Sequence, residues 1–354
     1  MVRRNQFTEV SGPGGIYGSA NPEADPIWVT GWDSRSILVG VRDKGTWAFY
    51  RLPKASNSYD GAHGWNTEWP RIRNVGTNDN PDYLMTMHGM FWRFPKTFSA
   101  DQTVGIRPRS AYLKVIGDFT RWNDKLVFGC DDSAHKEFLN KRTVKGDIEG
   151  PGQSNSNLWF TDVDKPDKLG STTAIGAVWI DDLVKSGEVS EPFLFAGWEK
   201  RCAWLRNSGK VSVNILLEVD EKGNNQWQKL KTVNVPAGQS VFVEFTDSEK
   251  GEWIRATPDK SVILSLEFAY TGNERSMENN DSFEGISVIN DNTSAGALLY
   301  GLGDNRRVLG VLAGTFHGDK FVESGYYELD GINVAESWQV KPVVAELIIG
   351  AWTK

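Results

Sequence analysis

The chain has 354 residues, of which 39% are hydrophobic and 24% are charged, and its net charge is −7. This composition is that of a folded globular protein rather than a disordered one, and the acidic balance argues against a general nucleic-acid binder. Fifteen tryptophans is a high content, typical of carbohydrate-active proteins and β-propellers.

No run of about 18 apolar residues occurs, so the sequence predicts no transmembrane helix. The N-terminal residues lack the apolar segment of a signal peptide, although a chain whose signal had been removed would look the same. We therefore expect a periplasmic or secreted protein if a signal was removed, and a cytoplasmic one otherwise. Cys130 and Cys202 could form one disulfide or remain buried free thiols.

Short apolar alternations separated by Gly, Asn and Asp turns run through the chain, a pattern typical of antiparallel β-structure. Residues 37–42 and 46–52 flank Asp43-Lys44-Gly45 and predict a hairpin. Residues 112–117 and 125–130 predict two strands joined by a polar link over 118–124. Further strands are predicted over 211–219, 226–233, 240–245, 252–256, 261–270, 296–302, 307–313, 320–329 and 343–352.

Two polar segments, 144–157 and 271–282, are candidate linkers, and 181–189 has the pattern of a helical turn. Strand clusters recur about every 45–60 residues, near the size of a four-stranded propeller blade. We therefore predict an all-β protein, a β-propeller of about seven blades, with a multi-sheet β-sandwich as the alternative. It would be one domain over 1–354, or a propeller core over 1–270 with closing strands over 271–354, and could be part of a longer protein.

Residues 59–96 concentrate side chains that suit an acidic-carbohydrate site. Histidine transfers protons near neutral pH, arginine binds a carboxylate through two hydrogen bonds, and tryptophan offers a flat face to a sugar ring. The segment contains two of the chain's four histidines, three tryptophans and three arginines, namely His63, His88, Trp65, Trp69, Trp92, Arg71, Arg73 and Arg93.

The two histidines of this segment have different neighbours. Glycines on both sides of His63 free the backbone and expose the imidazole, which suits a general acid or base as well as a loop hydrogen bond. His88 lies among methionines, and on a strand it would share a face with Thr86 and Met90. Methionine neighbours favour core packing, so His88 could be a catalytic residue or a core residue.

Arg71 and Arg73 occupy alternate positions and would point the same way from a strand. They could bind a substrate carboxylate, or form an ion pair with Glu68 or with an acidic residue of a neighbouring strand. Arg107 and Arg109 repeat this spacing around a proline that we expect to fix a loop.

The remaining candidates are arranged less specifically. Arg93 follows Trp92, so the two side chains should face opposite sides of a strand. Trp65, Trp122 and Trp159 could be sugar platforms, although most of the tryptophans must fill the core.

No pair of carboxylates stands out as the two acids of a glycosidase. Residues 129–133 match no calcium loop, and the cysteines and histidines make no zinc pattern. The sequence also has no P-loop, Rossmann fingerprint or nucleophile elbow. We expect no metal and no other cofactor.

Three segments, 59–73, 117–132 and 157–197, resemble bacterial glycan-degrading β-propeller proteins. These include the ulvan lyases and the related enzymes that remove rhamnose linked to glucuronate. The last segment, with SNLWFTDVDKPDKLG and GAVWIDDLVKSGEVSEPFLFAG, is the most similar, and the resemblance covers about residues 1–270. It implies His63 and His88 as proton-transfer residues, Tyr59 as their partner, and Arg71 or Arg73 on a uronate carboxylate.

The predicted function is a carbohydrate-active enzyme on uronate-containing oligosaccharides or polysaccharides, a lyase acting by β-elimination. Arginine would neutralise the carboxylate and acidify the adjacent C–H, and histidine or tyrosine would remove that proton. An exo-glycosidase releasing a deoxy-sugar from glucuronate and a non-catalytic glycan-binding or assembly propeller are the alternatives. The substrate contacts would come from Arg71, Arg73, Arg93, Arg109, Trp65, Trp69 and Trp122.

Overall fold

The computed structural model describes residues 7–15, 25–56, 70–112, 115–131, 156–272, 295–302, 308–317, 320–330 and 339–340. In these ranges the chain is built from β-strands, and the helical element is a single 3₁₀ turn, Lys165–Asp167. The all-β prediction is confirmed. The described part of the chain holds no helix that could span a membrane.

The chain divides into two compact units. The first contains Met1–Asp132 and Ser156–Arg275, and the second contains Ser133–Asn155 and Ser276–Lys354. The described residues of the second unit form an antiparallel sheet in chain order, from β20 (Ala295–Leu302), β21 (Val308–His317), β22 (Lys320–Asp330) and β23 (Gln339–Val340).

The first unit begins with three antiparallel meanders, in which each strand pairs with the next along the chain. Meander 1 consists of β1 (Phe7–Ser11), β2 (Ile27–Trp32), β3 (Ile37–Asp43) and β4 (Thr46–Leu52). Meander 2 consists of β5 (Arg71–Asn74), β6 (Tyr83–Met87), β7 (Met90–Phe94) and β8 (Arg107–Ala111). Meander 3 consists of β9 (Val115–Trp122), β10 (Lys125–Asp131) and β11 (Ser156–Asp162).

The three meanders pack face to face, with meander 2 in the middle. On one side Trp28 of β2 lies edge-on to Phe94 of β7, with the ring centroids 4.8 Å apart. On the other side Phe91 of β7 meets Phe128 of β10 at 5.4 Å. Every residue of β6 and β7 except Arg93 is buried, so both faces of these strands lie against other parts of the protein.

The rest of the first unit forms two sheets that face each other across a common core. One sheet has the order β12 (Thr173–Val184), β19 (Val262–Thr271), β14 (Lys200–Asn207), β17 (Ser240–Phe245). The other has the order β13 (Phe193–Leu194), β18 (Trp253–Pro258), β15 (Val213–Asp220), β16 (Trp227–Val235), and β13 continues it onto β4 of meander 1. Phe193 stacks on Phe268 between the sheets, with centroids 4.6 Å apart.

The structure contradicts the polar link and the helical turn that the sequence predicted. The polar link expected over 118–124 is mostly strand, because β9 runs to Trp122 and the turn is confined to Asn123 and Asp124. The helical turn expected over 181–189 begins inside β12, which continues to Val184 through an irregular register around Asp181. The strand predicted over 343–352 lies outside the described residues, as do most of the two candidate linkers.

Candidate functional site

Four charged side chains meet where the first strands of the three meanders approach one another. Glu9 comes from β1, Arg71 and Arg73 from β5, and Asp118 from β9. We call these four residues the arginine cluster. Arg71 and Arg73 reach the same partners because alternate residues of a strand point to the same side, which confirms the expected shared face.

Glu9 is the inner partner of both guanidinium groups. Arg73 Nη1 lies 2.6 Å from Glu9 Oε1, and its Nη2 lies 3.2 Å from Oε2, so the carboxylate accepts two hydrogen bonds from one guanidinium. Arg71 Nη1 lies 3.1 Å from Glu9 Oε2. The backbone N–H of Ile72 also donates to Glu9, at 3.2 Å. These contacts fix the two arginines against a carboxylate whose side chain is only 6% exposed.

Asp118 is the outer partner, and its contacts are longer. Its Oδ2 lies 3.1 Å from Arg73 Nη2 and 3.6 Å from Arg71 Nε, and its side chain is 54% exposed. Burial lowers the pKa of Arg73, but hydrogen bonds and charge interactions with Glu9 and Asp118 raise it, and the balance lies above the ordinary value. The Arg73 guanidinium is therefore a permanent cation. The solvent-facing carboxylate of Asp118 is the group that an incoming anion could replace.

This arrangement is the ion pairing with acidic residues of other strands that the sequence left as the alternative to substrate binding. The sequence did not indicate Glu9, which lies 62 positions before Arg71 and is the only acidic residue of β1. The sequence did not indicate Asp118 either, since no pair of carboxylates stands out in it. Tyr59, His63, Trp65, Glu68 and Trp69 lie outside the described residues.

His88 is not a strand residue, so the face predicted for it with Thr86 and Met90 is wrong. Strand β6 ends at Met87, and His88-Gly89 form the two-residue turn to β7, with φ angles of +46° and +76°. Positive φ at both central residues is the geometry of a type I′ hairpin turn. The turn is buried, and the His88 carbonyl accepts a hydrogen bond from the Ser56 N–H at 3.0 Å.

The imidazole of His88 is fully buried. Its Nδ1 lies 3.3 Å from the Ser56 carbonyl oxygen, and its ring lies edge-on to Trp32 at 5.6 Å. Burial, and then the positive charge of Lys54, lower its pKa from 6.5 to about 3, against the opposing effect of the Ser56 carbonyl. His88 is therefore neutral at physiological pH and packed within the protein, which favours a structural role.

The other predicted arginines lie elsewhere. Arg109, only 5% exposed, binds Asp167 through two hydrogen bonds of 2.8 and 2.6 Å and Asp82 through one of 2.9 Å. Arg107 binds Glu252 in the same two-point way. Both arginines belong to β8, so the loop predicted around Pro108 is wrong. Arg93 is exposed and Trp92 is buried, as expected for neighbours on a strand.

Trp122 is the predicted sugar platform that the strand register brings to the side of the arginine cluster. It lies four residues after Asp118 on β9 and therefore on the same face, about 13 Å along the strand. The indole is 60% exposed, and its ring centroid lies 6.0 Å from that of Phe160 on β11. Trp159, by contrast, packs against Phe128 on the inner face. No disulfide joins Cys130 and Cys202.

No protein-family model and no curated protein sequence matches the chain. Among solved structures it is similar to PirA, with 12% identity over 28% of this chain and 92% of that chain and a TM-score of 0.18. It is also similar to a glycoside hydrolase family 43 arabinoxylan arabinofuranohydrolase from Bacillus subtilis, with 8% identity over 72% and 77% of the two chains and a TM-score of 0.20.

A third similar structure is the exo-β-1,3-galactanase of Phanerochaete chrysosporium, with 9% identity over 72% of this chain and 76% of that chain and a TM-score of 0.20. Scores this low carry no argument about fold or function. The geometry of the described residues is therefore the basis of the proposals below.

Proposed function

We propose that this protein acts on uronate-containing oligosaccharides and binds the uronate carboxylate at Arg71 and Arg73. The observation that carries the proposal is the asymmetry of the arginine cluster. Glu9 anchors both guanidinium groups from the buried side, whereas the solvent side is covered by the half-exposed carboxylate of Asp118. A substrate carboxylate would take the position of Asp118 and keep the same charge-assisted hydrogen bonds.

The packing of the meanders supports a β-propeller as the scaffold for this site. In a propeller, sheets of four antiparallel strands surround a central channel. Meanders 1 to 3 follow one another in the chain, pack face to face, and bring their first strands together at the arginine cluster. In this arrangement the cluster would face the channel, where a ligand has access.

The reaction we propose is β-elimination. Arginine binding neutralises the uronate carboxylate and acidifies the C–H next to it. A base removes that proton, its electron pair forms a C=C bond, the C–O bond to the leaving sugar breaks, and an acid protonates the leaving oxygen. His63 and Tyr59 are the proton-transfer groups of this proposal, since both precede β5 closely in the chain and His88 is buried.

The two alternatives have less support from the described residues. A glycosidase needs two carboxyl groups facing each other across the scissile bond. In the arginine cluster both carboxylates are bound by arginine, which suits recognition better than acid catalysis. Non-catalytic glycan binding would use the same cluster, together with the exposed Trp122, and differs from the lyase only in the absence of turnover.

The test is to incubate the protein with glucuronate-containing polysaccharides and to follow the ultraviolet absorbance of the unsaturated uronate product. We expect absorbance to rise with the native protein and Arg73→Gln to lower the rate at least about tenfold, the equivalent of one 1.4 kcal/mol interaction. Arg255→Gln is the matched control, because Arg255 is also ion-paired, to Glu218 at 2.9 Å, but lies on β18.

The products separate the alternatives. Release of sugar without an increase in absorbance would contradict the lyase and favour the exo-glycosidase. Binding of the polysaccharide without any product would favour the glycan-binding role. Full activity of the Arg73→Gln protein would show that the arginine cluster does not bind the substrate.

A further inference from the structure

The sheet β12-β19-β14-β17 has one face in the core and one face in solvent, and the solvent face carries a pair of aromatic side chains. Ala203 and Leu205 of β14 point into the core, so Trp204 between them points outward. Trp204 is directly opposite Phe242 of β17, with the ring centroids 4.8 Å apart. The two residues are 47% and 53% exposed.

A depression of about 190 Å³ lies beside this pair. The depression exists because small residues, Ala177 and Ala269, occupy the positions next to Trp204 toward the sheet edge. Its opposite wall contains Arg35, which is held by Asp182 at 2.7 Å and by the Val178 carbonyl at 3.1 Å. The depression is smaller than the sites that take drug-sized ligands and suits one small ring.

The depression also contains one carboxylate, Glu267, which is opposite Trp204 on the neighbouring strand β19. Glu267 is exposed, and within the described ranges no hydrogen bond or ion pair engages its side chain. The site therefore combines a flat aromatic surface with a carboxylate that is available to accept hydrogen bonds.

We propose that this face binds a neutral sugar residue of a glycan, stacked on Trp204 and hydrogen-bonded through its hydroxyls to Glu267. A sugar ring has an apolar C–H face and a rim of hydroxyl donors, which matches this pairing. A uronate would place a second negative charge beside Glu267, so the ligand differs in charge from that of the arginine cluster.

The test is electrophoresis through native gels that contain dissolved neutral polysaccharides, with a β-glucan, a xylan, a mannan and a galactan as the probes. We expect at least one of them to retard the native protein. Trp204→Ala should weaken the apparent affinity at least about tenfold, which corresponds to ~1.4 kcal/mol. Glu267→Gln should weaken it less, because the amide still accepts one hydrogen bond.

Two controls make the outcome specific. Trp47→Ala removes an equally exposed tryptophan, 42% exposed and stacked on Phe49, on strand β4, and should leave the retardation unchanged. The Arg71→Gln/Arg73→Gln protein should also be retarded normally, so failure of the uronate proposal leaves this one standing. Phe242→Ala is a second variant on the same face, for use if Trp204→Ala does not fold.

Three results would overturn the proposal. The first would be that none of the four polysaccharides retards the native protein. The second would be that Trp204→Ala and Phe242→Ala are retarded as strongly as the native protein. The third would be that the native protein self-associates in sedimentation, that Trp204→Ala is monomeric, and that the polysaccharides do not change the sedimentation of either. The face would then be a contact between copies of the chain.

Discussion

At the scale of single residues, position in the fold decides what a side chain can do. Arg73 and Arg109 are both largely buried, both lie on strands, and each is bound by two carboxylates. Asp167 accepts two hydrogen bonds of 2.8 and 2.6 Å from Arg109, whereas Asp118, the half-exposed partner of Arg73, accepts one of 3.1 Å. Arg71 and Arg73 therefore offer guanidinium groups that a ligand can reach by replacing the more weakly held Asp118.

His88 leads to a prediction about pH. Its pKa is about 3 in the folded protein and about 6.5 in an unfolded chain, so between these values the unfolded chain binds more protons. The free energy of unfolding should therefore fall as pH decreases below 6.5, with a limiting slope of about 1.4 kcal/mol per pH unit from this residue. His88→Asn removes the ionisation and keeps a residue type that tolerates positive φ.

The measurement is denaturant unfolding at several pH values between 4 and 8 (roughly the window in which the difference in bound protons develops). The His88→Asn protein should lose stability less steeply on acidification than the native protein. His317→Asn, which changes an exposed histidine of the second unit, is the control. Identical pH profiles for the native and His88→Asn proteins would show that His88 is not buried in its neutral form.

At the scale of elements, turn chemistry and alternation predicted most of the strands. The hairpin of β3 and β4 follows from Asp43-Lys44-Gly45, where Lys44 and Gly45 have positive φ. The second half of β9 was missed because its exposed face is polar apart from Trp122, and within 118–122 only Phe119 marks the buried side. The irregular register of β12 at Asp181 was missed because it depends on the pairing with β19, which local sequence does not reveal.

A second prediction concerns Gly197, which lies in the link between β13 and β14. Its φ is +99°, and an added Cβ would lie 2.6 Å from Cδ of Pro108 on β8. Gly187 has a φ of +76° but open space around the same position. Gly187→Ala should therefore cost about 1 kcal/mol from backbone strain alone, and Gly197→Ala should cost clearly more because Pro108 must also move.

Urea unfolding midpoints of the two alanine variants check this difference. A larger loss at Gly197 is expected, and it would show that this link packs tightly on meander 2. If the two variants lose equal stability, the contact between Gly197 and Pro108 contributes nothing beyond the backbone conformation.

At the scale of the whole molecule, half of the candidate site could be predicted from the sequence. The shared direction of Arg71 and Arg73 follows from their spacing alone. Their partners could not be predicted, because Glu9 and Asp118 reach the cluster only when three meanders pack together, and no local pattern encodes that packing. The burial of His88 could not be predicted for the same reason. Its turn is local, but the residues that cover it are Trp32 of meander 1 and Ser56, which follows the last strand of that meander.

The claim that Arg71 and Arg73 recognise a carboxylate is tested most directly by calorimetric titration with a glucuronate-containing oligosaccharide and with the same oligosaccharide after reduction of its carboxyl groups to alcohols. The native protein should bind the carboxylate form and lose at least about tenfold in affinity for the reduced form, since charge-assisted hydrogen bonds are lost. Arg71→Gln/Arg73→Gln should bind both forms equally weakly. Equal affinity of the native protein for the two forms would contradict the account.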